Sequence, residues 1–144
     1  MSQTSAKGKA QQLVFEWFAT NYPDVPVKFP NAPFSGPDDA MYAEFFWVRG
    51  GTTRTSIGSN AYREQVGILQ LNIVVPEDTG AGTAETVCED ALNSLNETQH
   101  KIGPDETLTF RQAGLDTDEY LNGKYVVIGS IPFSLKKIVR TQAA

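Results

Sequence analysis

Apolar positions along this chain repeat first at the period of a helix and then at the period of a strand, and the switches between the two divide it into elements. Over residues 9–21, Ala10, Leu13, Val14, Trp17 and Phe18 form one stripe of an α-helix. The stripe is broad and aromatic, as suits packing on a sheet. Pro23 limits the helix, because it disfavours helical geometry at Tyr22. A second one-sided helix follows Thr83 and runs to about residue 96, with Ala84, Val87, Cys88, Ala91, Leu92 and Leu95 on its apolar face. Thr83 is the expected N-cap, and Glu85 suits a first turn.

Alternation governs the rest. Residues 25–29 read as a short extended segment, which Pro26 assigns to a sheet edge because proline cannot donate to a ladder. Residues 42–49 put Phe45 and Trp47 on one face and Tyr42, Glu44, Phe46 and Val48 on the other. Gly50-Gly51 then predicts a turn into a second strand over 52–57, the two forming a hairpin. The strongest strand pattern covers 62–75. Leu69, Leu71, Ile73 and Val75 share one face, and Val66, Ile68, Gln70, Asn72 and Val74 share a mixed one. This run exceeds the usual strand length. Residues 30–39 read as a Pro, Gly and Asp-rich loop, and 76–83 as a flexible connector. In the last third, 108–112, 114–121 and 125–138 read as strands, with Asn122-Gly123 as a turn between the last two. In the final strand Tyr125, Val127, Ile131, Phe133 and Leu135 point one way. Pro132, on the opposite face, predicts an edge or a bulge.

The order helix, strands, helix, strands lacks the βαβ rhythm of a doubly wound fold. It predicts an α+β domain: a mainly antiparallel sheet with two principal helices packed on one face. The 144 residues fit one domain spanning 1–144, with flexible ends over 1–8 and 140–144. A net charge of −5 argues against tight nucleic-acid binding, which needs clustered Lys and Arg. Cys88 is the single cysteine, so no internal disulfide is possible. No export pattern or membrane-length apolar run is present, which points to a reducing interior or a particle assembled there.

Chemistry-bearing patterns are scarce. Cys88 lies on its helix's apolar stripe and reads as a buried, inert thiol. His100, the only histidine, follows a helix end, where a solvated or capping role is expected. Gly80-Ala81-Gly82-Thr83 lacks the lysine and spacing of a phosphate loop and reads as a strand-to-helix turn. Asp38-Asp39 and Asp116, Asp118 and Glu119 lack calcium-loop spacing and read as solvated loops. No nucleophile motif or carboxylate pair stands out. The expectation is a non-enzymatic protein with no catalytic, metal-binding or cofactor-binding residues. The aromatics, in contrast, are in surplus: Trp17, Phe18, Tyr22, Phe29, Phe34, Tyr42, Phe45, Phe46 and Trp47 crowd the first third. Aromatic anchors are enriched at protein interfaces, so Phe34, Tyr42 and Phe46 are candidate contacts to another chain.

Three stretches resemble the tail terminator, or tail completion, proteins of long-tailed bacteriophages. One is the first helix followed by Val25-Pro26-Val27 and the loop Pro30-Asn31-Ala32-Pro33-Phe34. Another is the long strand that reads GILQLNIVVPEDTGAG into the second helix. The last is the closing strand Tyr125-Val126-Val127-Ile128-Gly129-Ser130-Ile131-Pro132-Phe133. One departure is Leu95-Asn96-Glu97-Thr98, where the family often carries an aromatic-bearing segment. The resemblance implies a ring, typically of six copies, that caps the head-proximal end of the tail tube. Such a ring stops tube polymerisation and gives the head–tail connector a docking surface, with no catalysis and no cofactor. The implied partners are further copies of the chain, the tail tube protein and the connector. DNA would pass through the lumen without specific binding, and no membrane is involved. The implied location is the virion, after assembly in the host cytoplasm. The long strand, the 30–39 loop and the aromatics are the expected head-to-tail interface, with Phe34, Tyr42, Phe46, Gln70 and Asn72 as candidate contacts. The alternatives are another head–tail connector or minor tail protein, or a small enzyme or ligand-binding domain without a short motif.

Overall fold

The computed structural model describes residues 5–30, 40–54, 60–76, 81–116, 118–121 and 123–140. In chain order the elements are α1 (Ala6–Asn21), β1 (Val27–Lys28), β2 (Tyr42–Arg54), β3 (Asn60–Pro76), α2 (Ala81–Asn93), β4 (Gln99–Gly103), β5 (Glu106–Phe110), β6 (Gly114–Leu115), β7 (Glu119–Leu121) and β8 (Lys124–Arg140). One mixed sheet runs in the order β1-β2-β3-β8-β5-β4, with β6 and β7 also pairing to β8. Only β1, parallel to β2, breaks an otherwise antiparallel pattern among the described strands. The two helices pack on one face, as the element order predicts.

The spine is the β3–β8 pair. Each strand has 17 residues, and their register runs unbroken from Asn60 opposite Arg140 to Pro76 opposite Lys124. Leu69, Leu71, Ile73 and Val75 of β3 and Val127, Ile131 and Phe133 of β8 are buried on the helix side, on the face that period-two alternation assigns them. Against them α2 sets Ala84, Val87, Cys88, Ala91 and Leu92, all buried. Gly129 is the floor of this contact. A Cβ there would lie 2.6 Å from Cys88 Sγ and 2.7 Å from Leu92 Cδ1, so its missing side chain lets α2 sit close to the sheet. Ala6, Ala10, Val14 and Phe18 form the buried stripe of α1. That helix begins three residues before the predicted start, because Ser5 caps it: the Ser5 hydroxyl accepts from the Gly8 backbone N–H at 2.9 Å.

Several expectations are corrected. Gly50-Gly51 is not a turn. β2 continues through it to Arg54, and the ladder to β3 absorbs the glycines as an irregularity between Arg49 and Thr52. The hairpin partner of β2 is therefore β3, and residues 55–57 lie outside the described residues. Thr83 does not cap α2, which already includes it, and Glu85 is past the first turn. His100 is not at a helix end but on β4, a strand absent from the sequence reading. The 114–121 segment is two short strands, β6 and β7.

Pro132 lies neither at an edge nor in a bulge. It faces Ile68 in the continuous β3–β8 register. Its carbonyl accepts from Arg111 N at 2.9 Å, so its nitrogen faces the same side, where the β5 register with β8 ends at Phe110 and that of β6 begins at Gly114. The missing N–H falls at that break. The stretch after α2 turns sharply, with Glu97 at φ 54°. Its turn is clipped to the same break: Glu97 N donates to Arg111 O at 3.1 Å, and Asn96 Oδ1 accepts from Ala113 N at 2.8 Å.

Candidate interaction surface

On the sheet face turned from the helices, register assembles rows across three strands. Phe46 of β2 lies opposite Gln70 of β3, which lies opposite Ser130 of β8. The next row is Val48, Ile68 and Pro132, and Val66 opposite Ser134 follows. Phe46, Val48, Ile68 and Val66 are 37%, 49%, 41% and 47% exposed, while their alternating neighbours Phe45, Leu69 and Leu71 are at most 1% exposed. The result is a contiguous apolar strip at the middle of the sheet, of the kind that marks a protein contact.

Four predicted interface residues share this face. Tyr42 is half-buried, with Lys124 Nζ 5.3 Å from the centre of its ring. Phe46 anchors the strip. Gln70 and Asn72 are half-buried and bonded to each other, Gln70 Nε2 donating to Asn72 Oδ1 at 3.0 Å. Phe34 lies outside the described residues. Val48, Val66, Ile68 and Pro132, which complete the strip, are not among the predicted interface residues. Their even positions assigned them to the mixed face, but nothing local says that this face is left exposed.

The strip rests on a rigid backing. Where β2 absorbs Gly50 and Gly51, its backbone crowds β3, and a Cβ on Gly50 would meet Val66 O at 2.8 Å. A Cβ on Gly67 would meet the Val48 carbonyl oxygen and lie 2.5 Å from Phe133 Cζ. Phe133 in turn stacks on Trp47, with centroids 3.9 Å apart and planes 13° apart. Glycine at 67 thus lets an aromatic ring lie over the backbone directly behind the strip.

Polar groups flank it. Ser134, buried, donates to Glu64 Oε2 at 2.9 Å, and Lys136 Nζ lies 3.8 Å from the same oxygen. Toward β4 and β5 the face becomes a polar depression of about 390 Å³ that includes Lys101, Arg111 and Lys136. At the other end of β8, Tyr125 donates to Asp118.

Reactive groups are not poised here. Cys88 is fully buried, its thiol pushed up to about 12 by burial first and then by Glu89, Asp118 and Asp116. His100 has its pKa lowered by burial and then by Lys9; its Nε2 is 3.0 Å from Thr98 Oγ1 and its ring meets Phe110 edge-on. Among the described residues no three His, Cys, Asp or Glu side chains come together as a metal-holding group, and no helix is long and apolar enough to cross a membrane. What this surface presents is exposed apolar area beside a polar, charged depression.

The chain is thus a mixed sheet with two helices on one face and an exposed apolar strip on the other. The family model described as phage tail terminator protein matches residues 8–99, well over half of the chain, and the protein belongs to that family of virion structural proteins. One solved structure superimposes with a TM-score of 0.68 at 19% identity, covering 91% of this chain and 96% of that one. A chain from the virion of a native gene transfer agent particle superimposes with a TM-score of 0.62 at 9% identity, covering 92% and 95%. At these identities both likenesses concern the fold. No curated protein matches the sequence.

Proposed function

We propose that the protein closes into a ring of six copies on the head-proximal end of the tail tube. There it ends tube polymerisation and presents a docking surface to the head–tail connector, while DNA passes through the lumen without specific contacts. The observation that carries this reading is the exposed strip of Phe46, Val48, Val66 and Ile68 on a chain of the terminator family. An isolated domain gains nothing by leaving four large apolar side chains together in water, whereas a subunit gains when a neighbour covers them. The interface takes in Tyr42, Phe46, Gln70 and Asn72, and Phe34 from the 30–39 loop. Contacts of one patch with a different patch close a ring when the rotation per copy divides a full turn. Weak contacts leave monomers at low concentration, and the tube end then acts as template.

The test is Phe46→Asp, with native mass measurement across a concentration series and electron microscopy of tails. The variant is expected to fold with unchanged circular dichroism and to leave tail ends uncapped. A wild-type protein absent from the head-proximal tail end overturns the location, and normal capping by Phe46→Asp overturns the interface.

A further inference from the structure

β8 carries opposite charge at its two ends. Beside its C-terminal half, Lys101, Arg111 and Lys136 are exposed around the polar depression, whose hydroxyl groups come from Tyr62, Thr107 and Thr109 and whose one carboxylate is Asp105. Glu64 is close by and engages Lys136 at 3.8 Å, which leaves Lys101 and Arg111 as the main cationic heads. Four residues along β8 separate Pro132, bonded to Arg111, from Ile128, bonded to Asp116, and ten separate Lys136 from Val126, so the sign reverses over about 13 to 33 Å at the rise of a β-strand. Asp116 follows β6, which pairs to β8 at Gly129 and Ser130, and Glu119 of β7 pairs with Val126. Asp118 accepts from Tyr125, and Glu85 and Glu89 of α2 stand near the same end. Lys124 is the cation at that end, held over Tyr42. Asp116, Glu119 and Glu89 are exposed.

A ring built from identical chains needs two different surfaces that fit each other. A cationic depression is notable on a chain of net charge −5, and the surface that best complements it is the carboxylate-rich end of the same molecule. We infer that the depression around Lys101 and Arg111 on one copy receives the acidic β6–β7 end of the next copy. This rests on the ring reading above and adds the polarity of its contact: the apolar strip, continuous with the depression through Pro132 and Ser134, is the dry centre, and the charge pairs are the rim that fixes direction. A duplex DNA partner fits less well, because the cations surround one depression rather than track a backbone, and the chain as a whole carries a net charge of −5.

Two variants test it, each changing exposed side chains: Lys101→Glu with Arg111→Glu, and Asp116→Lys with Glu119→Lys. Each alone should fold, yet its assembly midpoint should rise by about 100-fold, because like charges then face each other across the contact. An equimolar mixture should recover assembly, since every junction of an alternating ring regains opposite charges, and native mass should show equal numbers of the two. Wild-type assembly should weaken with added salt. Variants that each assemble and cap tails like the wild type overturn the pairing and leave the ring reading standing. Absence of any wild-type ring, in solution and on tails, overturns the ring reading itself. Intact assembly with lost DNA retention assigns the depression to DNA and also overturns the pairing.

Discussion

Gly67→Ala should be among the most damaging single-carbon changes in this fold. The added methyl would point to the helix side of β3, into the Val48 carbonyl oxygen and to within 2.5 and 2.6 Å of two Phe133 ring atoms. The carbonyl belongs to a paired strand, so it retreats only if β2 peels from β3 beside the Gly50-Gly51 irregularity. The ring has no easy escape, because it is 2% exposed and stacked on Trp47. Overpacking of this kind costs about 1–3 kcal/mol, and disturbed pairing places the expected loss at the top of that range, about 3 kcal/mol. For a chain of this length that corresponds to a fall of about 10 °C in Tm. Urea unfolding of dilute protein, followed by tryptophan fluorescence, measures the loss, and near-ultraviolet circular dichroism reports on the Trp47–Phe133 stack. Gly51→Ala is the control: nothing lies within 4 Å of its added carbon, so it should stay within about 0.5 kcal/mol of the wild type. Adding Phe133→Leu to Gly67→Ala should cost less than the two single changes summed, because the ring is one of the two obstacles. A Gly67→Ala protein within about 0.5 kcal/mol of wild type, with an unaltered near-ultraviolet spectrum, would refute the reasoning.

Three further outcomes are expected. Ser5→Ala removes the cap on α1 and should cost about 1 kcal/mol in urea unfolding, with Ser5→Asp restoring most of it. Cys88 should resist a thiol reagent in the folded protein and react at the rate of unfolding. Because its folded pKa is raised to about 12 from 9.0, its contribution to stability is complete below pH 9 and declines as pH rises through that window, so Cys88→Ala should flatten the alkaline limb of the stability profile. His100 has the opposite sense: its folded pKa lies below 6.5, so its contribution is present above that value and lost as pH falls through the folded pKa. His100→Gln should make the acid limb shallower, as read by Tm between pH 7 and pH 5, about the range where histidine titrates.

The parts of this protein that its sequence determined are those decided by local period. The stripe from Ala84 to Leu95 defines α2, and alternation in β3 and β8 places Leu71 and Val127 on one face and Ile68 and Pro132 on the other, because a side chain's direction follows from its own backbone. The buried state of Cys88 follows from the same stripe. The family resemblance was also legible, since it rests on the order of these patterned stretches. Tertiary structure alone decided the rest. Gly50-Gly51 is a turn signal in isolation, but β3 lies alongside it and gives β2 more by continued pairing than a turn would. β4 has weak patterning and exists because β5 offers it an edge, which removes His100 from its expected helix end. Pro132 stays inside the sheet because its missing N–H meets the break between β5 and β6. Alternation separated the two faces of the sheet, but which one the helices cover is a property of packing. So Val48, Val66 and Ile68 look like ordinary strand residues until α1 and α2 settle on the other side and leave them in water.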